Sequence, residues 1–307
     1  MTTLFDRMSD HPQVRIKDLG DGIVACNFTH KAFRKGIWDS STTAARGLFL
    51  DVETSEVLAR GYEKFFGLDE WQGHDLNDYL NQVEYPVKVS EKGNGYLGIV
   101  SVVRGDLTFY SKSGPTDHSE YFKHLFFEKA TNEQVKQFIT LLAEKNASAL
   151  FEVIDPHVDP HIVQYDDPML MLLDLVQNTE EFTILDTTDA EAVFEGNDFF
   201  TRPEVYMVED EDALRDAVSG AKNSLTTEGV ILRDANNLMV KVKSNRYKQV
   251  KSLRGPLART LNGKEDERAL PVLASLAKAG KSLDDFLVED IQGNISVDLP
   301  KIAPYIS

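Results

Sequence analysis

The amino-acid sequence predicts an α+β protein in which antiparallel sheets are flanked by helices. Many short segments are rich in β-branched and aromatic residues and are bounded by turn-forming residues, which is typical of β-strands. Other segments switch to apolar residues at helical spacing. The strands and helices do not alternate regularly, as they would in a parallel β-α-β fold. Together these observations favour the α+β class.

The N-terminal quarter is predicted to be rich in strands. Residues 14–30 contain two short strand patterns around the turn Gly20-Asp21-Gly22. Residues 46–66 contain another strand, a turn at Glu53-Thr54-Ser55 and a returning strand. Asp69 follows and is predicted to cap a short helix, because an aspartate can accept hydrogen bonds from the first free N–H groups of a helix.

The middle of the chain mixes strands with helices. Residues 85–111 are predicted to form three strands, with Arg104-Gly105-Asp106 as the turn between the last two. Thr131 is predicted to begin a helix, indicated by the apolar residues Val135, Phe138, Ile139 and Leu142. Residues 148–154 and 169–176 are short apolar runs, which favours buried strands over helices.

The C-terminal third begins with an acidic helix near residues 211–219. Residues 228–234 and 238–244 then form two strand patterns around a turn at 235–237. Beyond about residue 254 the pattern is helical. We therefore predict one large domain, residues 1–254, and a small helical C-terminal appendage, residues 255–307.

Composition and charge limit the possible functions. The 307 residues carry a net charge of −17, which argues against a general nucleic-acid binder with a basic surface. Residues 241–254 are the exception, because they hold six Lys or Arg residues and no acid. No apolar run is long enough to span a membrane. The single cysteine, Cys26, excludes an intramolecular disulfide and fits a reducing cytoplasm.

Lys92 is the first candidate for chemistry. It lies at the end of a predicted strand and is followed by Gly93 and Gly95, which allow a tight turn and leave space beside its amine. A lysine that attacks a phosphate needs such access and must be neutral when it attacks. Taken alone, however, this segment is more typical of a hairpin turn with a solvated lysine.

Two carboxylates and two lysines extend this pattern. Glu152 and Glu228 lie in otherwise apolar strand segments, where an unpaired carboxylate is costly. The two could hold a Mg²⁺ that also touches a nucleotide phosphate, although either one alone is more often a strand residue facing water. Lys241 and Lys243 fall on one face of a strand, where they could bind a phosphate or simply face solvent.

Four segments in this order resemble the nucleotidyltransferase motifs of the covalent ligase and capping-enzyme superfamily. They are KGNG, FEVIDP, EGVIL and KVK, which resemble motifs I, III, IV and V. The upstream segment ARGLFLD…LARGYEKFFGLDE is similar to the N-terminal signature of the RNA ligase family typified by the T-even phage tRNA-repair ligase. SKSG follows Lys92 at the spacing at which that family carries a further active-site lysine. The resemblance covers about residues 40–250.

The resemblance implies a nucleotidyltransferase (ligase adenylation) fold for residues 1–254 and a role for each matching residue. Lys92 would be the nucleophile that becomes adenylylated. Glu152 would serve the ribose or metal network, and Glu228 would bind metal. The residues expected to bind the nucleotide are Arg46, Lys64, Lys112, Glu152, Lys241, Lys243 and Tyr247. Asn94 replaces the Asp of many relatives, although fungal tRNA ligases also carry Asn there.

The expected function is ATP-dependent joining of RNA 5′-phosphate and 3′-hydroxyl ends through lysyl-AMP and RNA-adenylate intermediates. The cofactors would be ATP and Mg²⁺ or Mn²⁺, and the RNA partner would be a broken strand such as a cleaved tRNA, in a cytoplasmic, phage or bacterial setting. The alternatives are a DNA ligase or mRNA guanylyltransferase of the same superfamily, or a non-catalytic RNA-binding relative. The C-terminal tail reads as helical, whereas DNA ligases and capping enzymes typically carry a five-stranded OB-fold there.

Overall fold

The structure is a computed structural model that describes residues 2–68, 70, 75–158 and 161–306. The β-strands are numbered in chain order. They are β1 (Val14–Gly20), β2 (Ile23–Phe28), β3 (Arg46–Asp51), β4 (Val57–Arg60), β5 (Phe66–Gly67), β6 (Val87–Glu91), β7 (Tyr96–Val103), β8 (Asp106–Ser111), β9 (Ala147–Ile154), β10 (Met169–Gln177), β11 (Ile184–Leu185), β12 (Phe200–Thr201), β13 (Val205–Val208), β14 (Gly229–Arg233), β15 (Met239–Lys243), β16 (Leu287–Glu289) and β17 (Ile295–Val297).

The α-helices are numbered in the same way. They are α1 (Leu4–Ser9), α2 (His30–Lys35), α3 (Ser40–Ala44), α4 (Leu76–Leu80), α5 (Asp117–Lys129), α6 (Asn132–Lys145), α7 (Thr188–Val193), α8 (Glu211–Asn223), α9 (Asn245–Leu261), α10 (Leu270–Lys278) and α11 (Leu299–Ile302). Two short 3₁₀ helices, Leu283–Phe286 and Ala303–Tyr305, complete the C-terminal region.

The α+β prediction is confirmed. All the strands predicted from turn and alternation patterns are present, and the apolar run 169–176 lies in β10. Thr131 caps α6 through a hydrogen bond from the N–H of Gln134 to its side chain. Asp69 lies outside the described residues, and the helix that follows it, α4, has Asp75 as its N-cap. Most of the strand pairs are antiparallel, whereas β10–β12 and β5–β15 are parallel.

The chain divides into two compact units. The first comprises Met1–Phe65, Tyr96–Val153 and Met169–Arg202. It contains a four-stranded sheet, β1-β2-β3-β4, and a second sheet in the order β11-β10-β9-β7-β8, with β12 beside β10. Phenylalanine side chains from α5, α6 and the second sheet form its larger core, and burying each of them contributes about 1.5–3 kcal/mol.

The second unit comprises Phe66–Gly95, Ile154–Pro168 and Pro203–Ser307. Its sheet has the strand order β13-β6-β14-β15-β5. Apolar residues of α4 and α8 pack against this sheet, while α9, α10 and α11 share a separate apolar core. The sheet joins strands that are distant in the sequence, and this brings residue 92 close to residue 228.

The C-terminal tail is helical, as predicted, and also contains a short hairpin of β16 and β17. The hairpin strands have three residues each, which is too short for an alternation pattern to reveal. Helix α9 continues across residue 254, so the proposed boundary between residues 254 and 255 falls inside a helix and stays a prediction. No helix in the described part of the chain is long and apolar enough to cross a membrane.

Candidate active site

Lys92 directly follows β6, where that strand pairs with β14. Its main-chain N–H donates to the carbonyl of Gly229 at 2.9 Å, so the sheet pairing fixes its backbone. Its Nζ lies 3.1 Å from the carbonyl oxygen of Gly93 and 3.1 Å from Oε1 of Glu228. The side chain is 21% exposed, which leaves the amine accessible to a substrate phosphate.

The carboxylate of Glu228 is buried, with an exposed fraction of 2%, and it contacts Lys92, Lys243 and Asn94. Oε1 accepts from Lys92 and, at 2.8 Å, from Nζ of Lys243. Oε2 accepts from Nδ2 of Asn94 at 2.9 Å. Burial alone would raise the pKa of Glu228, but the charges of the two lysines outweigh it and hold the pKa below its ordinary value. The carboxylate is therefore ionised at neutral pH.

Gly229 permits this arrangement. Its φ of +144° is rarely adopted by other residues. A Cβ at this position would lie 1.9 Å from the carbonyl oxygen of Val242 on the neighbouring strand. Only glycine allows β14 and β15 to approach so closely, and Gly229 is paired with Lys243 in the register. Gly229 therefore helps to bring Lys243 close to the carboxylate of Glu228, the residue that precedes the glycine.

Asn94 connects the lysine loop to three other segments. Its Oδ1 accepts from the main-chain N–H groups of Ile162 and Val163 at 2.7 and 2.9 Å. Its own N–H donates to Oη of Tyr165 at 2.8 Å, and its Nδ2 lies 3.4 Å from Oη of Tyr247. An amide can accept on one side and donate on the other, which a carboxylate cannot do. Asn in place of Asp at residue 94 thus allows one side chain to donate to Glu228 and to accept from Ile162 and Val163.

The two lysines of β15 have different partners. Lys243 pairs with the carboxylate beside Lys92, whereas Lys241 pairs with Glu70 at 3.2 Å. Lys243 also lies 4.9 Å from the ring centre of Tyr247, and Lys251 lies 5.3 Å from the same ring. Tyr247 therefore stands between two cations. Lys251 was not predicted as a site residue, although it belongs to the basic stretch 241–254 noted in the sequence.

A second group of predicted residues lies in the first unit. Arg46 begins β3, and its guanidinium donates to the carbonyl of Tyr62 at 3.1 Å. Burial lowers the pKa of Arg46, while Tyr62 and Glu152 act in the opposite direction. Lys112 follows β8, and desolvation together with the charge of Arg46 lowers its pKa. A Cβ on Gly47 would lie 3.3 Å from Cα of Lys112, so glycine permits this close approach.

Lys64 lies in the same unit with different contacts. Its Nζ donates to the carbonyl of Phe65 at 3.0 Å and lies 5.4 Å from the ring centre of Trp38. The neighbouring Tyr62 donates from Oη to the buried carboxylate of Asp174 at 2.5 Å. Sequence reasoning missed this carboxylate because it placed residues 169–176 in a buried apolar strand. The signal was present as one acidic residue within that run.

The structure thus brings the predicted residues into two groups, one in each unit. The group of the second unit contains Lys92, Glu228, Lys243 and Tyr247. The group of the first unit contains Arg46, Lys112 and Glu152. Each group contains two cations and one carboxylate. Such an excess of positive charge suits a bound phosphate.

The carboxylates of these groups do not form a ready-made metal site. In the described residues, no group of three or more His, Cys, Asp or Glu side chains could hold a metal ion. Glu228 already accepts from two ammonium groups and an amide, and Glu152 interacts with Arg46. The metal roles of Glu228 and Glu152 stay predictions. Mg²⁺ commonly takes most of its ligands from water and substrate phosphates, with one or two carboxylates.

Comparison with known proteins agrees with these motifs. The sequence profile of a family described as RNA ligase matches residues 44–247, which is more than half of the chain. A search among curated protein sequences found no significant match. The chain resembles the solved structure of a proposed ATP-dependent DNA ligase from Aquifex aeolicus with a TM-score of 0.56 and 16% identity, over 84% of this chain and 66% of that one.

An archaeal ATP-dependent RNA ligase is similar with a TM-score of 0.53 and 14% identity, over 83% of this chain and 64% of that one. The chain therefore spans slightly less than two thirds of the length of these ligases. At such identities the structural likeness concerns the fold alone, and it agrees with the nucleotidyltransferase fold expected from the motifs. Since the RNA ligase profile covers most of the region that carries those motifs, the chain belongs to the RNA ligase family.

Proposed function

We propose that the protein is an ATP-dependent RNA ligase whose nucleophile is Lys92. In the first step Nζ of Lys92 forms a P–N bond with the α-phosphorus of ATP, and the bond to pyrophosphate breaks. In the second step the AMP passes to an RNA 5′-phosphate, which frees the lysine. In the third step a 3′-hydroxyl attacks the activated 5′-phosphate and AMP leaves, so that a phosphodiester bond joins the two ends.

The observation that carries this proposal is the sharing of one carboxylate by two lysines. Lys92 and Lys243 both lie within 3.1 Å of Oε1 of Glu228. One negative charge cannot balance two ammonium groups, so a phosphate would be attracted beside them. The attack also requires the amine of Lys92 to be neutral. Phosphoryl transfer depends mainly on such positioning and charge neutralisation.

The remaining residues take the roles that the family resemblance implies. Lys243 and Lys241 would contact the α-phosphate, and Tyr247 would assist them. By the same resemblance, Arg46 and Lys64 would act on the triphosphate, Lys112 would be a further cation, and Glu152 would serve the ribose or metal network. A bound Mg²⁺ or Mn²⁺ would supply further charge neutralisation to the phosphates.

The test is transfer of label from α-labelled ATP to the protein. The wild-type protein should retain label after denaturation, and the bond should be acid-labile, as expected for a phosphoramidate. Lys92→Ala should carry no label, while the matched control Lys278→Ala, which removes an exposed lysine of α10, should label like the wild type. Full labelling of Lys92→Ala would overturn the proposal.

The substrate is tested separately. The ligase should join RNA strands with 5′-phosphate and 3′-hydroxyl ends, and tRNA cleaved in the anticodon loop is the first physiological candidate. Nicked DNA and GTP serve as comparison substrates. Faster sealing of nicked DNA than of RNA would favour the DNA ligase alternative, and label from GTP in place of ATP would favour a guanylyltransferase. If neither ATP nor GTP labels the protein, the result would favour the alternative of a non-catalytic RNA-binding relative.

A further inference from the structure

One segment of this acidic chain is free of acidic residues. Between Asp234 and Glu265 lie thirty residues with eight Lys or Arg and no Asp or Glu, whereas the whole chain carries 50 acidic residues in 307. At that frequency about five acidic residues would be expected in the segment. The segment contains β15 and α9. Strand β15 ends at Lys243, which shares the carboxylate of Glu228 with Lys92, and α9 follows directly.

Four of the cations in this segment are committed to ion pairs or main-chain contacts, and one of them is Arg259, which pairs with Asp266. Lys241 and Lys243 pair with carboxylates. Arg246 donates to the main-chain carbonyls of Ala303 and Ile306, and so fastens α9 to the C-terminal segment. These contacts explain part of the basic stretch without any substrate. They leave Lys248 and Lys251 of α9 to be explained.

Lys248, Lys251 and Arg254 are exposed and spaced three residues apart on α9. Residues at this spacing lie on one side of a helix. In the part of the chain that the structure describes, no ion pair joins Lys248 or Lys251 to a carboxylate, and Nζ of Lys251 lies 3.4 Å from Oη of Tyr247. These two ammonium groups therefore remain available to an outside anion.

Lys251 links this helix face to the lysine group. It lies beside the ring of Tyr247, whose other neighbour is Lys243. Partial desolvation, followed by repulsion from Lys243, lowers the pKa of Lys251 to about 8. Attraction to Glu228 opposes this decrease in pKa, and repulsion from Arg254 and Lys92 adds to it. Lys92, Lys243 and Arg254 thus all lie close enough to Lys251 to act on its charge, and we call these four residues the cationic path.

We infer that the exposed face of α9 formed by Lys248, Lys251 and Arg254 binds the phosphate backbone of the RNA strand whose 5′ end receives AMP. This inference rests on the proposed function for the identity of the strand. The cationic path includes the lysine that would donate AMP as well as cations of α9, so a strand with its 5′-phosphate at Lys92 would have α9 available to its next phosphates. Ammonium groups contact phosphates without reading the base sequence.

The experiment measures binding of a 5′-phosphorylated single-stranded RNA of about 12 nucleotides, by fluorescence anisotropy, as salt is raised from about 50 mM to 1 M. Removing one ammonium group that touches a phosphate should reduce the slope of log K against log salt by about 0.7. Over this twentyfold range the reduction corresponds to about eightfold weaker binding at the lowest salt. Lys248→Gln and Lys251→Gln should each show this reduction, and Lys278→Gln should not.

Each outcome bears on one claim only. Slopes for Lys248→Gln and Lys251→Gln equal to that of Lys278→Gln would overturn the inference. A DNA strand of the same sequence should show the same reduction, because the ammonium groups bind phosphates, and a reduction confined to RNA would also contradict it. The assay contains no ATP. Normal labelling of Lys92 with unchanged slopes would therefore refute the α9 surface alone, while absent labelling with reduced slopes would refute the proposed reaction.

Discussion

Replacement of Glu228 by Gln is the most direct test of the lysine group. The substitution keeps the shape of the side chain but leaves the ammonium groups of Lys92 and Lys243 without their counter-charge. Removing one partner of a buried ion pair costs about 3–5 kcal/mol. Because the two lysine side chains are 21% and 24% exposed, water can partly replace the carboxylate, and we expect the lower value, about 3 kcal/mol.

The assay is urea unfolding of Glu228→Gln and wild-type protein at several pH values. Since the pKa of Glu228 is lowered in the folded state, its contribution is present at pH 7 and is lost as the pH falls through that pKa, below the ordinary value of 4.5. The stability difference should therefore shrink in acid. Pyrophosphate should stabilise Glu228→Gln more than the wild type, because it can neutralise the exposed lysines. Equal stability at pH 7 would refute the counter-charge role.

Gly229→Ala should destabilise the protein by more than about 3 kcal/mol in thermal unfolding, whereas Gly263→Ala, also at positive φ but with open space around its Cβ, should cost only about 1–2 kcal/mol. Asn94→Asp should reduce labelling of the protein by ATP at pH 7.5 and recover part of it at pH 6, because the new carboxylate would face Glu228 at about the present 2.9 Å. The RNA-affinity ratio of Lys251→Gln to wild type should approach one between pH 7 and pH 9.5, because a lysine with a pKa of about 8 loses its charge over that range.

Local sequence patterns predicted the elements well because strands, turns and caps are determined by near neighbours. The pairing of β6 with both β13 and β14 could not be predicted in this way, because those strands lie more than a hundred residues away in the chain. The motif resemblance supplied what periodicity could not, since it placed Lys92 and Glu228 in one functional set. The ion pair between them was not predicted, and the glutamate was expected to bind metal.

Asn94 shows a different limit of sequence reasoning. The sequence marks it as a departure from Asp, but its effect depends on what lies on each side of the amide. Those neighbours are Glu228 on the donor side and the main-chain N–H groups of residues 162 and 163 on the acceptor side. A carboxylate could accept from the main-chain N–H groups but would repel Glu228. Only the folded arrangement reveals that both requirements meet at one residue.

The net charge of −17 and a polyanionic substrate are compatible because electrostatic repulsion has a limited range. At physiological ionic strength the Debye length is about 8 Å, so surface acids beyond this distance from α9 are largely screened, while Lys251 and its neighbours act on a phosphate in contact with them. Near 0.01 M salt the Debye length rises to about 30 Å, and the acidic body then repels the same strand. The plot of log K against log salt should therefore flatten at the lowest ionic strength, whereas a protein with a basic surface throughout would continue to gain affinity. This curvature, measured by extending the titration of the α9 variants down to about 0.01 M salt, distinguishes a local cationic path from general attraction by the whole molecule.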